Sequence, residues 1–349
     1  MGKTLAWVLL VVCWFLCYMP DPRRMIMAAL LQGTSRPVSS PVSIDALSIQ
    51  RTRNGTFQHE KRLDPMSVHL VNPSDNSFGT AVITPRWLFV LAAATPSLAG
   101  DPILVDESLE QIVPDTIRAG DIVGISVHTG NALRGYAVGK MARSRGAWVV
   151  YGGIHATLFP EEALEHGEAH AVKGDGDVVW SKVVDDCLAG APARIYEGGR
   201  IEGSQFLEAR WDLMDPTKYM WASVQTIRGC PKHCSFCSVW RTDGQKPRQR
   251  RFQAVIDEIV TLRRMGFRFV TLADDNFYPV TLTDLRLARE QKNFAKLEEL
   301  TAIRGERFQL MEELAKLPKD MVFFTPITME AGEDGAYLDA CGRPISRAR

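Results

Sequence analysis

Cys230, Cys234 and Cys237 are spaced Cys-x-x-x-Cys-x-x-Cys. A loop of that length lets three thiolates converge on a cube of iron and sulfide while one iron keeps no protein ligand. That open iron is a position for a substrate, so the motif implies redox chemistry at a [4Fe-4S] cluster, and an enzyme rather than a passive binder. Zinc is the competing reading. Four-coordinate zinc normally takes paired two-cysteine or cysteine–histidine elements, and no second pair stands at suitable spacing. His233, between the first two cysteines, would strain to reach the same metal. Gly229 and Pro231 flank the first cysteine and suit a tight loop whose amides hydrogen-bond cluster sulfurs and tune the potential.

The chain that must hold this loop has 349 residues, 46% of them apolar, enough for two domains with a core each. Its 41 basic residues balance 41 acidic ones, so no global field selects nucleic acid or an anionic membrane surface. A small-molecule substrate is the better default. Three of the 7 cysteines crowd one loop, unlike a disulfide framework, which fits a reducing compartment, the cytoplasm. Cys13, Cys17, Cys187 and Cys341 read as apolar filler or chance surface residues.

Residues 1–65 form an apolar, then Ser- and Pro-rich extension. Residues 5–19 are almost wholly apolar but short for a membrane span, and Cys-Tyr-Met-Pro at 17–20 is a poor signal-peptide cleavage site. A membrane anchor, a disordered extension and sequence upstream of the true start compete; the last two are favoured because residues 36–65 lack sustained periodicity.

From Met66 onward, short apolar runs alternate with helical stretches, the pattern of parallel α/β units. Strands are expected at 67–72, 103–106, 122–126, 147–151 and 169–173, and helices at 85–94, 134–145 and 178–188. The loops 73–79, 127–133, 152–159 and 174–177 then fall at carboxyl ends of strands, where open parallel sheets bind ligands. Residues 191–217, rich in Gly, Pro and polar residues, read as a linker. A second series follows from 218 to 349. It has strands at 222–227, 268–273 and 321–328, a helix at 253–265, and a long amphipathic helix with Leu297, Leu300, Ile303, Phe308, Met311 and Leu314 close to one stripe. Arg248, Arg250 and Arg251 read as a solvated turn. The tail from Cys341 loses helical patterning.

The segment Arg228-Gly-Cys-Pro-Lys-His-Cys-Ser-Phe-Cys237 resembles the signature of the radical S-adenosylmethionine (SAM) superfamily, including the aromatic Phe236 before the third cysteine. The resemblance implies that the methionine amine and carboxylate of SAM chelate the open iron, and that an electron from the cluster cleaves the sulfonium to a 5′-deoxyadenosyl radical. It also places Phe236, Asp274, Asp275, Asn276 and Glu330 at the SAM site. Asp274-Asp-Asn276 departs from the family's glycine–glycine–glutamate segment, yet a carboxylate there still accepts an ammonium hydrogen bond.

Residues 66–190 resemble the corrin-binding domain of cobalamin-dependent members of that superfamily. The likeness rests on Val71-Asn-Pro-Ser74, on Gly152-Gly-Ile-His155 followed by Pro160-Glu-Glu162, and on Gly174-Asp-Gly-Asp177, where the class often has Gly-Glu-Gly-Glu. It implies that Asn72, Ser126, Thr129, Gly152, Gly153, His155 and Gly174 contact cobalamin. Ser126-Val-His-Thr-Gly130 lacks the aspartate and spacing of the Asp-x-His-x-x-Gly loop whose imidazole ligates cobalt, so His128 is not expected to do so.

The fold expected is a doubly wound Rossmann-like, cobalamin-binding domain followed by an incomplete (βα) partial TIM barrel of the radical SAM type. The family's barrel has six strands and only three are read here, so the chain reads as C-terminally truncated. The function implied is methyl transfer to an unactivated carbon of a small molecule, with flavodoxin or ferredoxin as electron donor. Two alternatives are a corrin-free radical SAM enzyme catalysing rearrangement or methylthiolation, and a non-catalytic corrin- or metal-binding module.

Overall fold

The computed structural model describes residues 66–166 and 169–342. The readings of residues 1–65, the apolar segment 5–19 included, lie outside the described residues.

Strand β1 (Val68–Asn72) leads to β2 (Ala81–Ile83) and helix α1 (Arg86–Ala94). β3 (Ile103–Asp106), β4 (Ile122–Ser126), α2 (Ala132–Ser144) and β5 (Trp148–Gly152) follow. Next come α3 (Gly153–Leu158), α4 (Pro160–Glu165), β6 (His170–Gly174), α5 (Trp180–Leu188) and β7 (Ile195–Gly199). All but β2 of these strands form one parallel sheet in the order β3-β1-β4-β5-β6-β7. Its inner strands β1, β4, β5 and β6 are buried on both faces over most of their length, which is why they read as continuous apolar runs rather than alternating ones. Val68, Leu70, Ile122, Val150 and Val172 pack with Leu88, Trp180 and Val184 on one side. Val71, Val123, Ile125 and Val149 pack with Tyr136, Val138 and Ala163 on the other.

The second series comprises β8 (Tyr219–Val224), β9 (Ile227–Arg228), α6 (Val239–Thr242), β10 (Arg248–Gln249), α7 (Phe252–Arg264) and β11 (Phe269–Leu272). It continues with α8 (Leu282–Glu290), α9 (Phe294–Lys316), β12 (Val322–Phe324) and α10 (Gly335–Gly342). Its sheet is parallel, in the order β12-β11-β8-β2. α7 and α9 cover one face, setting Ile259, Leu262, Leu310 and Leu314 against Ala222, Val224, Val270 and Leu272. Both series are therefore parallel α/β, with the second a partial barrel, as the residue patterns indicate.

Four local readings need correction. No strand is read between β1 and β3. The loop 73–79 does lie at their carboxyl ends, its Phe78 N–H donating to Ser108 O at 2.9 Å, but the chain then runs on into β2, which pairs in the second sheet. The stretch read as linker contains β7, the sixth strand of the first sheet, because Gly198 and Gly199 let its backbone lie against Gly174 and Asp175. The third strand of the second series is three residues long rather than eight. Cys341 and Gly342 close a helix, α10, whose Tyr337 and Ala340 are buried. No helix among the described residues is long and apolar enough to cross a membrane.

Candidate active site

A cavity of about 630 Å³ opens at the carboxyl ends of the first sheet and is roofed by the second series. Asn72, Ser126, Gly152, Gly153 and Gly174 line it from four strands, and His128 stands beside them. Two glycines make this floor. At Gly153, with φ +88°, an added Cβ would lie 2.7 Å from Ser126 Oγ, and at Gly174, with φ +77°, 2.4 Å from Gly199 O. Only a residue without a side chain fits either place. Thr129 and His155 do not reach the cavity. His155 is buried behind it, with Nδ1 3.2 Å from Thr129 Oγ1 and Nε2 3.3 Å from Glu162 Oε1. No carboxylate orients His128, whose Nδ1 accepts from the Gly130 N–H at 3.1 Å.

Ser223, Gln225, Arg228, Asp243, Thr271, Ala273 and Asp275 line the opposite wall. The segment Asp274-Asp-Asn276, one residue past β11, is thus split in role. Asp274 is fully enclosed: its oxygens accept from Thr226 N–H (2.6 Å), Thr226 Oγ1 (2.5 Å) and Ile227 N–H (3.0 Å), with Arg307 4.0 Å away. This carboxylate fastens the turn after β8. Asp275 faces the cavity and accepts from the Gly229 N–H at 2.6 Å. Burial, and then the negative charge of Asp243, push its carboxyl up to about 7. Asn276 is buried and accepts from Tyr278 N–H through Oδ1 at 3.1 Å, while its Nδ2 has no hydrogen-bond partner among the described residues.

The cysteine loop is tied at its amino end. Gly229 is held by Asp275, and the Cys230 N–H donates to Gly244 O at 3.0 Å. Farther along, the Cys237 N–H donates to Cys234 O at 3.1 Å. Lys232 Nζ donates to Glu330 Oε1 at 2.6 Å, so Glu330, in the turn Met329–Glu333 that follows β12, meets the loop directly and is held below its ordinary pKa by that lysine. Cys230 and Cys237 are half-buried, Cys234 is exposed, and all three are free. Burial pushes the Cys230 thiol up. Among the described residues no three His, Cys, Asp or Glu side chains are arranged to hold a metal ion. Three free thiols on one anchored loop fit an iron–sulfide cluster in donor chemistry. Phe236 is 91% exposed and touches neither cavity nor acid segment.

Residues 224–349, which hold this loop, match the Radical SAM superfamily. This part of the chain is a radical SAM domain. The chain is 26% identical over 196 residues to bacteriochlorophyllide d C-12(1)-methyltransferase of Chlorobaculum tepidum, covering 54% of this chain and 43% of that protein. It is 25% identical over 228 residues to hopanoid C-2 methylase of Rhodopseudomonas palustris, covering 64% of this chain and 41% of that one. It thus spans less than half the length of these curated relatives. Among solved structures, the radical SAM methyltransferase TsrM of Kitasatospora setae, with cobalamin and a [4Fe-4S] cluster bound, superposes with a TM-score of 0.55 at 18% identity, over 80% of this chain and 57% of that one. OxsB superposes with a TM-score of 0.54 at 13% identity, over 74% of this chain and 38% of its own. The two-part fold is shared with both.

Two arginine clusters join the first sheet to the radical SAM domain, and neither was foreseen. Arg228, at the head of the cysteine motif, donates from Nη1 to Asp175 Oδ1 at 2.8 Å and from Nη2 to Asp177 Oδ2 at 2.9 Å. Arg248 also binds Asp175, and the Phe206 ring lies 4.1 Å from the Arg228 guanidinium. Deeper in, Glu258 accepts from Arg86, Arg250 and Trp211. Arg248 and Arg250 are therefore buried ion-pair members rather than a solvated turn; only Arg251 is exposed. Lone arginines near acidic loops carry no signal of their partners, since Asp175 and Arg228 are 53 residues apart.

Proposed function

We propose that the chain belongs to a cobalamin-dependent radical SAM methyltransferase acting on a small molecule in the reducing cytoplasm, with a flavodoxin or ferredoxin as electron donor. The observation that carries this reading is the enclosed cavity between the carboxyl ends of a Rossmann-like sheet and the cysteine loop of a radical SAM domain. The relatives named as methyltransferases support it, as does the corrin in a structure of the same fold.

Cys230, Cys234 and Cys237 would hold the [4Fe-4S] cluster. With SAM and cobalamin bound, these groups supply one-electron reduction of the sulfonium and a transferable methyl group. The protein's part is placement. Asn72, Ser126, Gly152, Gly153 and Gly174, which line the cavity, would hold the corrin. Thr129 and His155 would act only by supporting that wall. Asp275 and Asn276, beside Cys230, would receive the SAM ammonium, with Glu330 and Phe236 flanking the loop. Asp274 is spent on the turn after β8 and has no oxygen left for a ligand.

Anaerobic reconstitution with iron, sulfide and hydroxocobalamin should give a brown protein that converts SAM to 5′-deoxyadenosine, and Cys234→Ala should abolish that product. Undiminished cleavage by the variant, or a colourless protein with stoichiometric zinc, would sink the reading.

A further inference from the structure

Residues 229–247, which carry the three cysteines, are joined to the second series through a narrow neck. β9 and β10 pair antiparallel there, with Arg228 opposite Arg248. Like charges directly opposite each other on a ladder repel. What lets this one close is a carboxylate from the first sheet that holds both arginines. Asp175 Oδ1 accepts from Arg228 Nη1 at 2.8 Å, while its Oδ2 accepts from Arg248 Nη1 and, at 2.8 Å, from the Ile201 N–H. Asp177 meets Arg228 fork on fork, at 3.1 and 2.9 Å, which fixes the direction of the guanidinium. The group is shut off from bulk water. Asp175, Asp177 and Arg248 are 6%, 8% and 3% exposed, and the Phe206 ring lies 4.1 Å from the Arg228 guanidinium and 5.8 Å from that of Arg248.

The segment Gly174–Asp177 that supplies these carboxylates is backed on one side by β7. A Cβ added at Gly198 would lie 2.1 Å from Asp175 O, so the segment cannot retreat that way. Its other side is cavity wall, to which Gly174, Asp175, Gly176 and Asp177 all belong. A ligand filling the cavity therefore rests on the segment that holds both strands of the cysteine loop's neck. It also displaces water from that wall, and a lower local dielectric strengthens the pairs that Asp175 and Asp177 make.

We propose that Asp175 is a positioning residue that couples the two cofactor sites: cobalamin in the cavity tightens the cysteine loop's hold on its cluster, and an assembled cluster raises the affinity of the cavity for cobalamin. This rests on the reading of the chain as a cobalamin-dependent radical SAM protein. Coupling between two sites is reciprocal in binding free energy, and about tenfold is an ordinary size for it.

The test uses the full chain without SAM, so that no ligand bridges the two cofactors. Hydroxocobalamin affinity is measured by equilibrium dialysis on chain reconstituted with iron and sulfide and on chain left without them. The cluster should tighten cobalamin binding about tenfold. In the other direction, hydroxocobalamin should slow several-fold the loss of iron to excess EDTA, read as iron retained after desalting. Asp175→Asn keeps the shape of the side chain and removes its charge, so the ratio of the two affinities should fall to about one, whatever becomes of either affinity. Arg248→Met frees one strand of the neck and leaves Asp175 on Arg228, so its ratio should be intermediate; it takes over if circular dichroism shows that Asp175→Asn does not fold. A ratio near one in wild type overturns the proposal. So does the wild-type ratio kept in Asp175→Asn, or in Arg248→Met where Asp175→Asn does not fold, because cobalamin would then only shield the loop. Wild type that binds no cobalamin or holds no cluster sinks the functional reading and this inference with it, whereas both bound without coupling sinks this inference alone.

Discussion

The two arginine clusters that bridge the sheets do different work. Around Glu258 the bonding is closed. Arg86, at the cavity wall, donates two bonds, at 2.8 and 3.0 Å, and behind it Arg250 donates one at 2.6 Å and Trp211 one at 3.0 Å. Burial by itself would raise this carboxyl, but the two arginines outweigh it and hold it below its ordinary value. Around Asp175 and Asp177 the bonding is open to the site. Asp175, Asp177 and Arg228 all line the cavity, and the next residues toward the carboxyl end are Gly229, held by Asp275, and Cys230. Matching charges are thus spent on cohesion in the first cluster and on placing a reactive loop in the second.

Breaking the closed cluster should have the largest effect. Glu258→Gln leaves Arg86 and Arg250 buried without their counter-charge, for a loss of about 3–5 kcal/mol in urea unfolding. A loss below about 1 kcal/mol would mean that water enters and the cluster is not closed. Arg228→Met is expected to cost less, about 1–3 kcal/mol, because Arg248 still pairs with Asp175. Its particular effect lies at the loop: alkylation of Cys230 should speed up several-fold, while Glu258→Gln at matched stability should leave that rate alone. Equal rates in the two variants would erase the distinction between the clusters.

The same contrast explains what the residue pattern does and does not reveal. Strands buried on both faces were legible because every residue in Ile122–Ser126 or Trp148–Gly152 belongs to one apolar run. β2 was not, since Ala81–Ile83 owes its pairing to Tyr219–Trp221, more than 130 residues away. β7 hid in a glycine-rich stretch whose glycines serve close backbone approach, not a linker. Within the site, the cysteine loop and the cavity glycines could be picked out by residue type and spacing. The difference between Asp274 and Asp275 could not, because it depends on which carboxylate the turn at Thr226 captures. For the same reason Arg228 was read as part of a motif but not as a partner of Asp177.

A pH-dependent effect tests whether Asp275 belongs to the open region, with its sign fixed by the raised pKa. Its carboxyl moves from an ordinary 3.8 to about 7, chiefly through burial and then through Asp243. Between those values the folded chain keeps a proton that the unfolded chain has lost, so this group's contribution to stability is greatest below about pH 4 and declines as pH rises toward 7. The whole decline is at most about 4 kcal/mol, and water reaching the cavity wall reduces it. Asp275→Asn keeps an oxygen for the Gly229 N–H and removes the titration. Urea midpoints at pH 5 and pH 8 should therefore fall more in wild type than in the variant, and the variant should be the more stable at pH 8. Parallel changes would mean that Asp275 is ionised and solvated at both pH values. In that case it would share neither the burial of Asp274 nor the repulsion from Asp243 that sets the two neighbouring carboxylates apart.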